Sequence, residues 1–511
     1  MSRKNGGIIG PANTPVGGLM SGVAGGVWRM NDLLDFVGNS QWPSTPKDIE
    51  NSTRFNGSGS DDYLSKTFGS DGNRKIYTVS AWVKRAELGR TQVIFFAGDN
   101  STDSYPLHFV AGDNLEVTRY AGGYTFRVTT TRVFRDLSAW YHIVVAVDTT
   151  QATASNRVKI YVNGVQETAF DNSSYPTQDS EYEINDASFQ HNWGFQTTSN
   201  DFDYGGYMAE CVFIDGQALD ATSFGEFDST TGIWKPKKIG QQFAAGGGAG
   251  TNGFYLDFKD SSNLGNDASG NNNDFTVNNL TSIDQSTDTC VENFATLNPL
   301  VTYAATPPVH SEGNLQVVTV NADPGLFGSS STIGVSQGKW YAEFKPTNST
   351  SGVPYLIGIS SDPAEMARNG ATAGNQYSST EWGYYAHNGN QYHEGSNSSY
   401  GDAYTTNDII GVALDLDNHK LYFSKNGTFQ NSGVPTSGST GTGAISIDSG
   451  ETYFFMLTDL GGGVCTFQAN FGSPPFSISS GNSDANGFGN FEYSVPSGFF
   501  ALNTSNLNTY G

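Results

Sequence analysis

LDLDNHKLYFSKNGTFQNSG, residues 414–433, and VAVDTTQATASNRVKIYVNGVQETAF, residues 145–170, are built alike. Each has a strand ending in Asp, a crossing, a strand with a central Tyr, and then Asn-Gly. Asn-Gly accepts the positive φ angles of a tight hairpin turn. Asn163-Gly164 and Asn426-Gly427 therefore predict one device used twice, as a central hairpin in each of two β domains.

Outward from these stretches the period is two. YTVSAWVKR puts Tyr77, Val79, Ala81 and Val83 on one face and Thr78, Ser80, Trp82 and Lys84 on the other. WYHIVVAVD aligns Tyr141, Ile143, Val145 and Val147, and RVKIYVNGV aligns Val158, Ile160 and Val162. This alternation predicts antiparallel sheets with one buried and one wet face. In DIIGVALDLD, Ile410, Val412, Leu414 and Leu416 share a face. Turn-separated strands continue to about residue 475. The expected class is all-β: two antiparallel β-sandwiches in series behind an irregular N-terminal segment.

Composition agrees. The chain has 511 residues, with 50 acidic against 26 basic side chains and a formal charge of −24. That charge repels a phosphate backbone, so nucleic acid is not an expected partner. Aromatic residues make up 13% and there are 62 Gly, which excludes an acidic disordered chain and fits short strands joined by turns. Cys211, Cys290 and Cys465 are too few and too odd for a disulfide framework. The first residues lack a signal-peptide core, and no run approaches a membrane span, so membrane insertion is not expected. A chain made in a cytosol with an extracellular-looking surface fits a virus particle.

The expected organisation is a docking segment at 1–45, a first sandwich at 46–239, a Gly/Asn/Asp-rich connector at 240–312 that partly completes it, a second sandwich at 313–478 and a tail at 479–511. In GVWRMNDLLDFVGNSQWP, Val27, Met30, Leu33, Leu34 and Val37 fit one helical face. The docking residues would be Val27, Trp28, Met30, Leu33, Leu34, Phe36 and Trp42, with a segment that packs on its own domain as the alternative.

The ordered set RFNGSGSDDYLS, YTVSAWVK, WYHIVVAVD and KIYVNGV resembles the concanavalin A-like, laminin-G-type jelly roll over about residues 50–220. GKWYAEF, YLIGIS, WGYYAHNGNQYHEG, NDIIGVALDLDNHKLYFSKNG and YFFMLTDLGGGVCTFQANFG resemble a SPRY domain over about residues 315–475. The segments GVWRMNDLLDFVGNSQWP, DSSNLGNDASGNNNDFTVNNL with NFATLNPL, and FEYSVPSGFFALNTSNL are similar to segments of marine tailed-phage virion proteins. The resemblance implies a virion structural protein, a tail or head fibre or a capsid decoration. It would be assembled in the host cytoplasm, anchored through its N-terminus and exposed on the particle. Its partners would be head, portal or tail components and a host-surface glycan or protein, with a homo-oligomer, a trimer, expected for a fibre.

Candidate chemistry is sparse, and the expectation is a protein that is not an enzyme. Glycoside hydrolysis needs two carboxylates about 5–10 Å apart, and the nearest fragment, Glu226-Phe227-Asp228, lies among turn residues. A polysaccharide depolymerase is the alternative, and a bacterial surface adhesin a third. No cofactor is expected. Asp267, Asn271, Asn273 and Asp274 could offer oxygens to calcium, but self-capping turns are the favoured reading. WGYYAHNGNQYHEG, with His387, His393 and Glu394, reads as core strands and a turn rather than a sugar platform or metal site. Asp136, Asp148 and Asp415 read as strand-end charges that discourage aggregation. Function is expected in loops such as residues 360–380, where Arg368, Asn369, Asn375 and Tyr377 are the glycan- or protein-binding candidates.

Overall fold

The computed structural model describes residues 49–57, 59–100, 103–196, 202–229, 231–237, 248–301, 307–319, 327–349, 355–363, 379–459 and 463–511. The docking candidates Val27, Trp28, Met30, Leu33, Leu34, Phe36 and Trp42, and the loop candidates Arg368, Asn369, Asn375 and Tyr377, lie outside them.

In chain order the first strands are β1 (Ser52–Asn56), β2 (Tyr63–Lys66), β3 (Ile76–Arg85), β4 (Gln92–Asn100), β5 (Asp103–Phe109), β6 (Asn114–Tyr120), β7 (Tyr124–Val133), β8 (Trp140–Asp148), β9 (Val158–Val162), β10 (Val165–Gln166) and β11 (Phe170–Ser174). There follow β12 (Gln190–Trp193), β13 (Gly205–Asp215), β14 (Gly225–Phe227), β15 (Trp234–Pro236), β16 (Phe254–Leu256), β17 (Thr276–Asn278) and β18 (Gln285–Ser286). One sheet runs β10-β9-β8-β3-β13-β1-β18, with β16 added to β13; its partner runs β11-β7-β6-β5-β4-β12-β2-β17. Strands from residues 254–286 thus belong to both sheets of the first sandwich. The inward rows are those of the period-two reading: Tyr77, Val79, Ala81 and Val83 from β3 meet Phe95, Leu107, Val117 and Phe126 across one core.

The second sandwich contains β19 (Val309–Ser311), β20 (Gln316–Val318), β21 (Phe327–Ser330), β22 (Lys339–Ser349), β23 (Tyr355–Ser360), β24 (Glu381–Tyr385), β25 (Asn390–His393), β26 (Ser396–Ser399) and β27 (Ile410–Asp415). It closes with β28 (Lys420–Lys425), β29 (Thr428–Phe429), β30 (Ile445–Ser446), β31 (Phe454–Asp459), β32 (Cys465–Asn470), β33 (Phe500–Ala501) and the helix α1 (Thr504–Tyr510). Its sheets run β19-β20-β32-β22-β27-β28-β29 and β21-β31-β23-β24-β25-β26. Strand β33 of the tail lies parallel to β22. Trp382 and Tyr384 sit in the core, and His393 stacks on Trp382 with centroids 4.2 Å apart, so this stretch plays the structural part.

The two Asn-Gly turns are the same device down to their hydrogen bonds. Asn163 and Asn426 both have φ 47°, followed by Gly164 at 81° and Gly427 at 79°. Asn163 donates its N–H to His142 O, and its Oδ1 accepts from His142 N at 2.7 Å. Asn426 repeats this with Ile409, the side-chain bond being 2.8 Å. Each Asn therefore extends the ladder to the neighbouring strand while it turns the chain. The device is not central: β10 is a sheet edge and β29 is another. We expect Asn163→Ala to cost about 1–3 kcal/mol, for one lost part-buried hydrogen bond and a left-handed residue without Asn's tolerance for it. A midpoint in urea unchanged from wild type would contradict this.

Two further expectations differ from the structure. The outer face of β3 is not wet, because Thr78, Ser80, Trp82 and Lys84 are all buried. The β14–β15 hairpin and the connector cover it. Trp234 of β15 donates Nε1–H to His142 Nδ1 at 3.0 Å, and His142 stacks between Trp234 and Trp82. The strand-end Asp residues are not edge charges either. Asp415 is fully buried and accepts from Lys339 Nζ at 2.8 Å. Asp136 and Asp148 cap their own turns at Ser138 and Thr150.

Residues 51–511 form one unit, and residues 288–297 of the connector join its two sandwiches. Phe294 enters a cluster with Tyr341, Tyr422, Phe491 and Phe499 on the outer face of the β22 sheet, while its carbonyl accepts from Lys84 of β3. The tail holds to the same face: Glu343 of β22 accepts backbone N–H bonds from Glu492 and Tyr493 at 2.9 and 2.8 Å. Among the described residues no helix is long and apolar enough to cross a membrane. The three cysteines are free.

Candidate functional site

The β5–β6–β7 ladder turns alternate side chains to the two faces of its sheet. Tyr105, Leu107, Phe109, Leu115, Val117, Phe126 and Val128 go to the core. The opposite positions line a cleft of about 620 Å³ on the outer face. Ser104, Pro106 and His108 come from β5; Glu116, Thr118 and Tyr120 from β6; Tyr124 and Arg127 from β7. Gln196 and Phe202, which precede β13 in the chain, close one wall.

Glu116 forms the floor. It is 1% exposed, and its carboxylate accepts from His108 Nε2 at 3.3 Å, Arg127 Nε at 2.7 Å and Thr129 Oγ1 at 2.7 Å. Burial alone would push this carboxyl up, but the bonds from His108, Thr129 and Arg127 together outweigh it and hold it below its ordinary value. It stays ionised at neutral pH, so it is no general acid. It orients His108 and Arg127 instead. The second ring nitrogen of His108, Nδ1, is buried without a hydrogen-bond partner.

The rim is aromatic. Tyr120 and Tyr124 meet edge to face with centroids 5.5 Å apart and are 37% and 58% exposed. The Arg127 guanidinium lies 4.7 Å over the Tyr124 ring, which fixes both. Exposed Tyr rings beside hydroxyls and an imidazole can stack the apolar face of a sugar and exchange hydrogen bonds with its hydroxyls. Hydrolysis would need a second carboxylate, and Glu116 is the one acid among the described lining residues.

None of these residues was singled out in the sequence. The signal was nevertheless present in PLHFVAGDNLEVTRY, where Glu116, Thr118 and Tyr120 recur at period two opposite an apolar row. The weak calcium candidates Asp267, Asn271, Asn273 and Asp274 form the self-capping turn that was the favoured reading of them. Asp267 accepts from the backbone of Tyr255, Ser269 and Asn273, while Asn271 and Asn273 both donate to Gly253 O. Asp274 accepts from Asp267 N. This is a self-capped turn that binds the β16 segment. Among the described residues no group of three or more His, Cys, Asp or Glu side chains is placed to hold a metal ion. Glu226 and Asp228 lie 3.5 and 3.2 Å from Lys235 Nζ, ion-paired across the β14–β15 hairpin.

Residues 58–216 match the model of the concanavalin A-like lectin/glucanases superfamily, and residues 339–453 match the SPRY domain. No curated protein matches the chain. Among solved structures, the SPRY domain of human HERC1 is similar at 17% identity, over 34% of this chain and 96% of that one, with a TM-score of 0.27. A candidate carbohydrate binding protein from Bacteroides ovatus is similar at 18% identity, over 46% and 60%, with a TM-score of 0.32. A SAP-like pentraxin from Limulus polyphemus is similar at 14% identity, over 34% and 79%, with a TM-score of 0.26. The chain therefore carries a concanavalin A-like domain followed by a SPRY domain.

Proposed function

We propose that the protein is a non-enzymatic binding protein that takes a carbohydrate on the outer face of its concanavalin A-like domain. The carrying observation is the cleft floored by Glu116, His108 and Arg127 and rimmed by Tyr120 and Tyr124. The matched lectin/glucanase model spans all of these residues. The phage-like segments support a finer reading: a virion fibre or decoration protein, anchored by its N-terminal segment, that holds a host-surface glycan through many weak contacts multiplied by copy number. A net charge of −24 favours neutral over polyanionic glycans.

The test is binding of purified protein to host-surface polysaccharide by calorimetry, with assay of new reducing ends. Binding without cleavage is expected. Tyr124→Ala should weaken it about 10-fold, for the loss of one stacking partner worth about 1.4 kcal/mol. Cleavage would favour the depolymerase alternative. Absence of the chain from purified particles would end the virion reading and leave the glycan reading standing.

A further inference from the structure

Lys84 plays no part in the cleft. It projects from β3 on the other sheet, beneath the connector. Its Nζ lies 2.8 Å from Asp288 Oδ2, 2.8 Å from Asn293 Oδ1 and 3.1 Å from Phe294 O. The Lys84 and Asp288 side chains are each 1% exposed. Trp140 donates Nε1–H to Asp288 Oδ1 at 3.0 Å, and Nζ sits 5.5 Å from the Tyr207 ring centroid. Asn293 Nδ2 donates to Ser138 O at 2.6 Å, which fixes its carboxamide with Oδ1 toward the amine.

A buried amine, a buried carboxyl group and a half-buried carboxamide held together beside aromatic rings are the reactants and the proton carrier of an amide exchange. Fixing reacting atoms about 3–3.5 Å apart replaces a bimolecular encounter by a unimolecular step, which can supply several kcal/mol of the barrier. Burial keeps water from the Lys84 amine and the Asp288 carboxyl group, whose side chains are each 1% exposed, while Asn293 is half-buried. Burial also pushes the Asp288 carboxyl up, against the pull of Lys84 and Trp140, which suits it to hold a proton.

We propose that Lys84 and Asn293 join in an intramolecular isopeptide bond, with Asp288 carrying the proton. Asp288 Oδ2 takes a proton from the Lys84 ammonium. The free amine attacks Asn293 Cγ and the Nζ–Cγ bond forms. Asp288 returns the proton to Nδ2, the Cγ–Nδ2 bond breaks and ammonia leaves, while the second proton on Nζ passes to Asp288 as the carbonyl re-forms, so that Asp288 ends protonated beside a neutral amide. No oxidant or cofactor is required. The product links β3 to the connector across a sequence separation of 209 residues. It is a covalent tie between the first sandwich and the segment that enters the second, in a chain whose cysteines are all free. Cross-links over long loops constrain the unfolded chain most.

The competing reading is a plain ion pair, since an ammonium with three acceptors is already satisfied. Intact mass of the purified, folded full chain separates the two. The expected mass is about 17 Da below that of the sequence, for one ammonia lost in the condensation. Peptide mapping should find one branched peptide that contains both Lys84 and Asn293. Asn293→Ala keeps the Lys84–Asp288 pair and should fold at full mass. Asp288→Asn keeps both reactants without the proton carrier and should also remain at full mass. Folding of both variants is checked by circular dichroism. Full mass in the folded wild type would overturn the proposal. So would a loss mapped to other residues, or a loss of about 18 Da joining Lys84 to Asp288, the signature of a different acceptor.

Discussion

Phe294→Ala is expected to cost about 3–5 kcal/mol, in the range of buried aromatic truncations. Phe294 is 1% exposed, and its ring packs among Tyr341, Tyr422, Phe491 and Phe499 on the second sandwich. The next segment of its own chain, Ala295 and Leu297, enters that sandwich's core. The preceding one, through Asp288 and Asn293, grips Lys84 of the first. One side chain thus fastens the coupling between domains, and a cavity there loosens both ends. Whole-domain stabilities are about 5–15 kcal/mol, so the loss is a large fraction. We expect the wild type to unfold in urea in one transition by Trp fluorescence and the variant in two. Two transitions already in the wild type would show that the connector does not couple the sandwiches.

The second large effect is pH-dependent. His142 is buried in its neutral form and burial lowers its pKa to about 3. Its Nδ1 lone pair accepts from Trp234 Nε1–H and its Nε2 meets Ser80 Oγ at 3.0 Å, so a proton on Nδ1 would face another N–H. In the unfolded chain the imidazole titrates near 6.5. The unfolded state therefore binds the proton first as pH falls. Stability from this group is full above pH 6.5, declines below it and levels off near pH 3, with about 3 kcal/mol lost by pH 4. Carboxyl groups oppose the trend. Burial raises Glu343 to about 7, and Asp62 and Asp203 to about 6, so their terms grow as pH falls. His191 and His310, lowered by burial to about 4, act in the same direction as His142, so it is the difference between variants that isolates His142. His142→Phe should be less stable than wild type at pH 7, with the gap narrowing by about 3 kcal/mol at pH 4. A gap that is constant with pH would show that His142 does not titrate on unfolding.

Much of the candidate site was out of reach of sequence reading for one reason. His108, Glu116, Tyr120, Tyr124 and Arg127 look in sequence like the ordinary outer row of any half-buried sheet. What makes them a site is that β5, β6 and β7 set them side by side and Gln196 and Phe202 wall the cleft. Binding residues concentrate in loops, but these five lie on a strand face. The turn at Asp267–Asp274 was legible because Asx capping is local: every partner of Asp267's carboxylate lies within 12 residues of it.

The sequence by itself determined the class and the inward rows. Period two forces Val79, Ala81, Ile143, Val145, Val412 and Leu414 to one side of their strands, and Asn-Gly at 163–164 and 426–427 forces the turns. Both effects act within a few residues. Only the tertiary structure decided what stands over each outer face. Thr78, Ser80 and Lys84 alternate with apolar residues just as Ser104, His108, Glu116 and Thr118 do. Both rows are buried, yet the first lies under a hairpin and a connector and the second lines a cleft. What covers an outer face comes from segments up to about 200 residues away along the chain, and no local periodicity encodes their return.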